Sequence, residues 1–306
     1  MGSGDARRVD VEYLEQPCRS ALNPVKGMGF KWSLNPYMGC YHRCTFCYVR
    51  AFESRADRPS DDRYGRSIRV KTNIVDVLQA ELARPRWKAE LVAIGAATDP
   101  YQPAEGTYRL TRGCLQALAS HVNPASIITR NPLIVRDRDV LVTLASRAEL
   151  TVNFSIPTLD EHVWRLTEPG SPHPRQRLRA VEMLRQAGIK AGVGMAPILP
   201  GISDSPGQLE EVVLGAKAAG AAFVWANVLY LRPGTREHFM ESLAKHWPEL
   251  VPEYERLYRS SYLAKPDAQP ILETAAELRR RHHVGERERF LQPRRETSEQ
   301  LMLLAG

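Results

Sequence analysis

Cysteine is scarce in this sequence, with five among 306 residues. An odd, clustered set does not build a disulfide framework. The compartment expected is the reducing cytoplasm, where grouped cysteines more often hold metal. Long apolar runs are also missing. No stretch of 18 apolar residues occurs, so neither a membrane-spanning helix nor a membrane partner is expected. The opening, MGSGDARRVD, lacks the apolar centre of a secretory leader. Ala6 stands where a myristoylation signal has Ser or Thr. The GxG of GVGMAP at 192–197 lacks the third glycine of a dinucleotide fingerprint and lies on a strand pattern. No internal repeat is found. A net charge of +7 permits an anionic partner without requiring one.

What is present is ordinary globular material, 43% apolar and 25% charged, arranged in a rhythm. Residues 1–30, with Pro17, Pro24, Gly27 and Gly29, read as an irregular, extended lead-in. From Trp32, short apolar runs alternate with longer amphipathic stretches. The runs fall at 32–37, 91–97, 126–130, 150–156, 189–196 and 222–230, each bounded by Pro, Gly, Asn or Asp. Helical spacing is seen at 72–83, 109–121, 138–148, 174–188 and 205–220. Thr72 or Asn73 is a candidate N-cap, Pro206 suits a first helical position, and Gly188 and Gly220 suit helix ends. Six strand–helix units predict an α/β fold with a parallel sheet, an open (β/α)6 partial TIM barrel spanning 31–245. Eight closed units typically need about 250 residues. Residues 246–306 read as a basic helical C-terminal extension. Its run ELRRRHHVGERERFLQPRR at 277–295 suits either phosphate contact or a solvated face.

The loop after the first strand reads GCYHRCTFCY, with Cys40, Cys44 and Cys47 in a C-x3-C-x2-C spacing. Barrel folds place their chemistry at this end of the sheet. Structural zinc wants four ligands, commonly two C-x2-C pairs, whereas Cys18 and Cys114 are isolated. His42 is a fourth ligand for zinc only if one short loop folds back on itself. A [4Fe–4S] cluster normally takes four thiolates, and three would leave one iron open, as a catalytic site requires. The residues alone leave cluster, zinc and unligated thiols as readings.

This motif resembles the C-x3-C-x-aromatic-C signature of the radical S-adenosylmethionine (SAM) superfamily, with Phe46 at the aromatic place. The resemblance implies a [4Fe–4S] cluster on Cys40, Cys44 and Cys47, SAM as second cofactor, and reductive SAM cleavage to a 5′-deoxyadenosyl radical that takes hydrogen from a substrate. Over about residues 20–235 the chain is similar to the spore-photolyase-like subgroup, through ATDPYQPAE at 97–105. There Thr98 would bind the methionyl end of SAM and Asp99 its ribose hydroxyls. IITRNP at 127–132 would bring Arg130 to the SAM carboxylate, where the subgroup more often has Lys. FSIPT at 154–158 makes Ser155 a SAM contact, and EPGSPHPRQRL at 168–178 adds Glu168 and Arg177. GVGMAP would pass close to the adenine. Tyr101 and Gln102 are placed at the pocket mouth.

One departure matters. Spore photolyase has a hydrogen-donating cysteine where this chain has Ala97, and of its paired relay tyrosines only Tyr48 remains, with Phe46 in the other place. A methyl group cannot donate that hydrogen, so true spore photolyase activity is not expected. The substrate class stays open between a nucleic-acid lesion and a small metabolite or peptide. The implied electron donor is a reductase partner such as flavodoxin or ferredoxin. The rival reading is a [4Fe–4S] electron-transfer or sensing protein without SAM turnover. Cys114 reads as a buried structural residue, and Cys18 is assigned no role.

Overall fold

The computed structural model describes residues 10–287. Its strands are β1 (Glu12–Gln16), β2 (Leu22–Pro24), β3 (Trp32–Leu34), β4 (Tyr37–Met38), β5 (Ser67–Lys71), β6 (Val92–Ile94), β7 (Ala125–Thr129), β8 (Leu150–Ser155), β9 (Lys190–Ile198) and β10 (Val224–Val228). Seven of them form one sheet in the order β10–β9–β8–β7–β6–β3–β2. Neighbours from β3 to β10 are parallel, and β2 lies antiparallel on β3. The sheet ends at β2 and β10 without closing, which is the open six-unit α/β architecture the rhythm predicts.

The helices are α1 (Arg50–Arg55), α2 (Ile74–Leu82), α3 (Ala104–Tyr108), α4 (Leu110–Ser120), α5 (Arg138–Arg147), α6 (Glu161–Thr167), α7 (Pro174–Gln186), α8 (Pro206–Ala218), α9 (Arg236–His246), α10 (Val251–Leu257) and α11 (Lys265–Arg281). Their ends follow local chemistry. Ser205 caps α8 by accepting from the Gln208 amide at 3.3 Å, with Pro206 next in line. Gly188 and Gly220 turn the chain after α7 and α8 at φ +77° and +65°. Asn73 precedes α2 but does not cap it. Its amide group bonds instead to the backbone of Cys18, at 2.7 and 3.1 Å, and so pins the lead-in.

Apolar strand residues such as Val92, Ile94, Ile127, Val152, Phe154 and Val193 are fully buried against Leu78, Leu115, Leu118, Leu144 and Leu184 of the helices. Each such side chain stabilises the fold by roughly 1.5–3 kcal/mol. Cys114 belongs to this core, and burial pushes its thiol pKa up.

Two details differ from the sequence reading. The run 32–37 divides at Asn35-Pro36: β3 stays in the main sheet, while β4 turns away to pair antiparallel with β5. Proline lacks the amide a ladder needs, and it restricts the residue before it. The extended lead-in also carries order of its own. β1 pairs parallel with β5, completing a small three-stranded sheet, and β2 lines the edge of the large one. At the opposite edge the segment after α11 runs beside β10, with the Val224 amide donating to the Gly285 carbonyl at 2.9 Å.

Within the basic run, Arg279, Arg281 and His282 pair with Glu286, Glu277 and Glu210. The rest of that run, from 288, lies outside the described residues. Among the described residues no helix is long and apolar enough to cross a membrane.

Candidate active site

The loop between β4 and α1 carries the three cysteines on consecutive tight turns. Backbone bonds run from Arg43 to Cys40, from Cys47 to Cys44 and from Arg50 to Cys47. Two glycines elsewhere let it sit close. A Cβ on Gly65 would lie 2.2 Å from the Cys40 carbonyl oxygen, and one on Gly170 would lie 2.4 Å from that of Tyr41. The Gly170 amide donates to the His42 carbonyl, the Thr45 amide to the Thr167 carbonyl, and the Thr235 hydroxyl to the Cys47 carbonyl.

Cys40, Cys44 and Cys47 line one cavity of about 220 Å³ together with Phe46, Thr98, Asp99, Arg130 and Ser155. Burial pushes the thiol of Cys40 up, and that of Cys44 up to about 12. Deprotonated thiols here therefore need a positive partner. Cys44 Sγ lies 3.8 Å from the Ser171 hydroxyl, and Cys47 Sγ lies 3.5 Å from that of Tyr64. The thiols do not converge as ligands of a single ion, and among the described residues no other His, Cys, Asp and Glu group does. In an iron–sulfur cluster each thiolate takes its own iron, so three thiols lining one cavity need not meet at a single ion. His42 does not turn to the thiols: its Nδ1 lies 3.3 Å from Asp99 Oδ2, and its buried Nε2 has no hydrogen-bond partner among the described residues. Burial lowers the His42 pKa to about 4, so the ring is neutral near pH 7.

The strand ends supply the opposite wall. The Thr98 hydroxyl donates to the Gly39 carbonyl at 2.6 Å and accepts from the Gln102 amide at 2.9 Å, tying β6 to the cysteine loop. Asp99 Oδ1 accepts from the Tyr101 amide and the Thr129 hydroxyl, and Oδ2 from the Arg130 amide. With His42 beside Oδ2 as well, each carboxylate oxygen has two protein neighbours, the usual capacity of the group. The Ser155 hydroxyl, at a cavity-lining position on β8, has no protein partner among the described residues.

Arg130 lies 5.5 Å over the Phe46 ring, and its Nε donates to Glu168 at 3.0 Å. Burial works against its charge, yet Cys44 and Glu168 raise its pKa. Glu168 also binds Arg177, whose Nη1 donates to the Ser155 carbonyl at 2.9 Å.

A Radical SAM superfamily profile matches residues 34–213. The chain belongs to the radical SAM superfamily. It is 37% identical over 265 residues to an uncharacterised protein of Mycobacterium tuberculosis (strain ATCC 25618 / H37Rv), covering 86% of this chain and 78% of that one. It is 26% identical over 239 residues to an uncharacterised protein of Methanocaldococcus jannaschii, covering 78% and 85%. In fold it is similar to a spore photoproduct lyase variant with bound AdoMet and dinucleoside spore photoproduct. The TM-score is 0.71 at 14% identity, over 94% of this chain and 84% of the other.

For a radical SAM enzyme, two placements differ from the sequence expectations. Glu168 and Arg177 do not line the cavity: they stand behind Arg130, with Arg177 fully buried. Tyr101 and Gln102 are not at the mouth. Both are fully buried, Tyr101 near Glu105 and Asp137, and Gln102 bonded to Thr98 and to the Tyr41 amide. GVGMAP reaches the cavity through Ala196 and Pro197, while its glycines serve packing: a Cβ on Gly192 would meet Phe223 at 2.4 Å and one on Gly194 would meet the Trp225 ring at 2.7 Å.

Sequence reasoning passed over Arg50 and Tyr64, which sit against the cysteine loop, and Trp225 and Tyr230, which line the cavity from the far end of the sheet. A lone Arg after C-x2-C-Y was the available signal for the first. Trp225 and Tyr230 lie inside and just beyond an apolar strand, where they read as core. Ala97, in place of the hydrogen-donating cysteine, packs against Cys40, Val49 and Tyr64.

Proposed function

We propose that Cys40, Cys44 and Cys47 hold a [4Fe–4S] cluster with one iron left for SAM, and that the cavity between this loop and the ends of β6, β7 and β8 receives SAM. One observation carries the reading: three thiols from one loop share a single cavity with a cation, Arg130, and an unengaged hydroxyl, Ser155. When bound, the cluster and SAM supply one-electron cleavage to a 5′-deoxyadenosyl radical that abstracts hydrogen from a substrate. The residues bind, orient and keep the site dry. Arg130, held rigid by Glu168 with Arg177 behind, presents a fixed positive charge to the SAM carboxylate. Ser155 offers a hydrogen bond that no group among the described residues takes. Thr98 and Asp99 serve first as ties among the loop and the strand ends, and a ribose hydroxyl reaching Asp99 would exchange for one of its present partners. Phe46, Val228 and Leu229 line the cavity with apolar surface and exclude water.

The proposal keeps the three-part division of the chain, with residues 31–245 as the radical SAM core. It assigns electron supply to a flavodoxin- or ferredoxin-like reductase in the cytoplasm. The substrate is a nucleic-acid lesion or a small metabolite or peptide. Ala97 argues against return of hydrogen to a thymine radical at that position.

The test is anaerobic. Protein reconstituted with iron and sulfide, reduced with dithionite and given SAM should release 5′-deoxyadenosine, and Cys44→Ala should not. A full cluster that neither releases 5′-deoxyadenosine nor changes its paramagnetic signal with SAM would favour the electron-transfer reading instead.

A further inference from the structure

Arg50 lies three residues after the last of the three cysteines and opens α1. It is 1% exposed. Its guanidinium donates only to backbone carbonyls: Nε to Cys44 at 3.4 Å, Nη2 to Arg43 at 3.2 Å, and Nη1 to Ser60 and Asp61 at 2.7 and 2.6 Å. It stacks 4.6 Å over the ring of Tyr64, which is itself buried and whose hydroxyl lies 3.5 Å from Cys47 Sγ.

No carboxylate pairs with Arg50 among the described residues. The Asp61 carboxylate is held by Arg63, and Glu53 by Arg58 and Arg69. Asp62 acts on it only at longer range. A buried guanidinium without a counter-charge in contact costs several kcal/mol, and neutral carbonyls return only part of that. Its position explains the arrangement. Two of its acceptors belong to the cysteine loop itself, and the aromatic ring beneath it carries the hydroxyl that reaches the third thiol. Three thiolates and an added electron would place negative charge beside this cation.

We propose that Arg50 and Tyr64 set the reduction potential of the cluster held by Cys40, Cys44 and Cys47. Arg50 compensates the charge of the reduced state, and the Tyr64 hydroxyl donates to the Cys47 sulfur. Both are positioning residues, acting through the cysteine loop. Net charge and hydrogen bonds to sulfur are established determinants of such potentials. The inference rests on the cluster reading above and adds a role to two residues outside the cysteine motif, of which Tyr64 also lines the cavity.

The experiment is an equilibrium redox titration, followed by paramagnetic resonance, of reconstituted wild type, Arg50→Lys, Arg50→Gln and Tyr64→Phe, with iron and sulfide measured on each. Arg50→Gln and Tyr64→Phe are expected to shift the midpoint to more negative potential. Arg50→Lys, which keeps the charge and loses the planar fork, is expected to shift it less than Arg50→Gln. A purely structural role would lower cluster loading and melting temperature while the loaded fraction kept the wild-type midpoint, and that result overturns the proposal. Should Arg50→Gln fail to fold, Tyr64→Phe decides, because it leaves the cation and the ring in place: an unshifted midpoint there overturns the proposal. Wild type that binds no iron overturns the cluster reading itself, and the wild-type arm separates that failure from the other.

Discussion

Among single residues, Glu168 carries the heaviest electrostatic duty at the site. It is 2% exposed and binds two guanidiniums, those of Arg130 and Arg177. Burial opposes its charge, but Arg177 and Arg130 hold its carboxyl below the usual range. Glu168→Ala would leave the fully buried Arg177 and the partly buried Arg130 without a counter-charge. The expected loss is about 3–5 kcal/mol in urea unfolding of the cofactor-free protein. A loss under about 1 kcal/mol, typical of an exposed pair such as Arg165–Glu161, would contradict this account. The resemblance names both Glu168 and Arg177 as cofactor contacts, and the structure places them behind Arg130, outside the cavity lining. A pattern of residue types shows that a charge is present, not which layer it occupies. The ring of partners around Asp99, drawn from positions 42, 101, 129 and 130, is likewise assembled only by the fold.

The elements were legible where burial marks the sequence. β6, β7, β8 and β9 are covered on both faces, so their apolar runs are continuous and bounded. β1 gave no such mark, because its EYLEQ is mostly exposed, and β4 has only two residues. Local caps are the other readable signal. Asp160 accepts from the His162 and Val163 amides at 2.8 and 3.0 Å, and so begins α6. That helix ends at Thr167, whose carbonyl holds Thr45 of the cysteine loop, with Glu168 next in the chain. Asp160→Ala is expected to cost about 1 kcal/mol. Because the cap and the loop share one short helix, iron uptake at fixed iron and sulfide should fall alongside stability. Normal uptake with the stability loss would show that α6 does not brace the loop.

For the whole molecule, the parallel part of the sheet has edges at β3 and β10, and the chain covers both with its own flanking segments. β2 lies along one, and residues after α11 lie along the other. Unpaired edges invite association, so this coverage guards against aggregation. Gly285 permits it: a Cβ there would meet the Ala222 carbonyl oxygen at 2.3 Å. Gly285→Val should detach the segment at a cost of roughly 1–3 kcal/mol. In hydrogen exchange the Val224 amide should speed up while amides of β7 and β8 stay slow. Uniform acceleration across the sheet would mean that the segment supports the whole fold rather than one edge.

The fastening of the cysteine loop has a temporal side. Three of its clamps come late in the sequence: the Thr167 carbonyl, the Gly170 amide and the Thr235 hydroxyl, the last of which follows Cys47 by 188 positions, whereas Thr98 and Gln102 come earlier. At about 5–20 residues per second, a ribosome needs on the order of ten seconds or more to reach that threonine after making the last cysteine of the motif. Through much of that interval the three thiols ride on a loop only partly fastened, open to oxidants and stray metal. Productive loading with iron and sulfide therefore belongs after translation of the barrel, and a cell that makes this protein gains by keeping the emerging chain reduced and shielded until then.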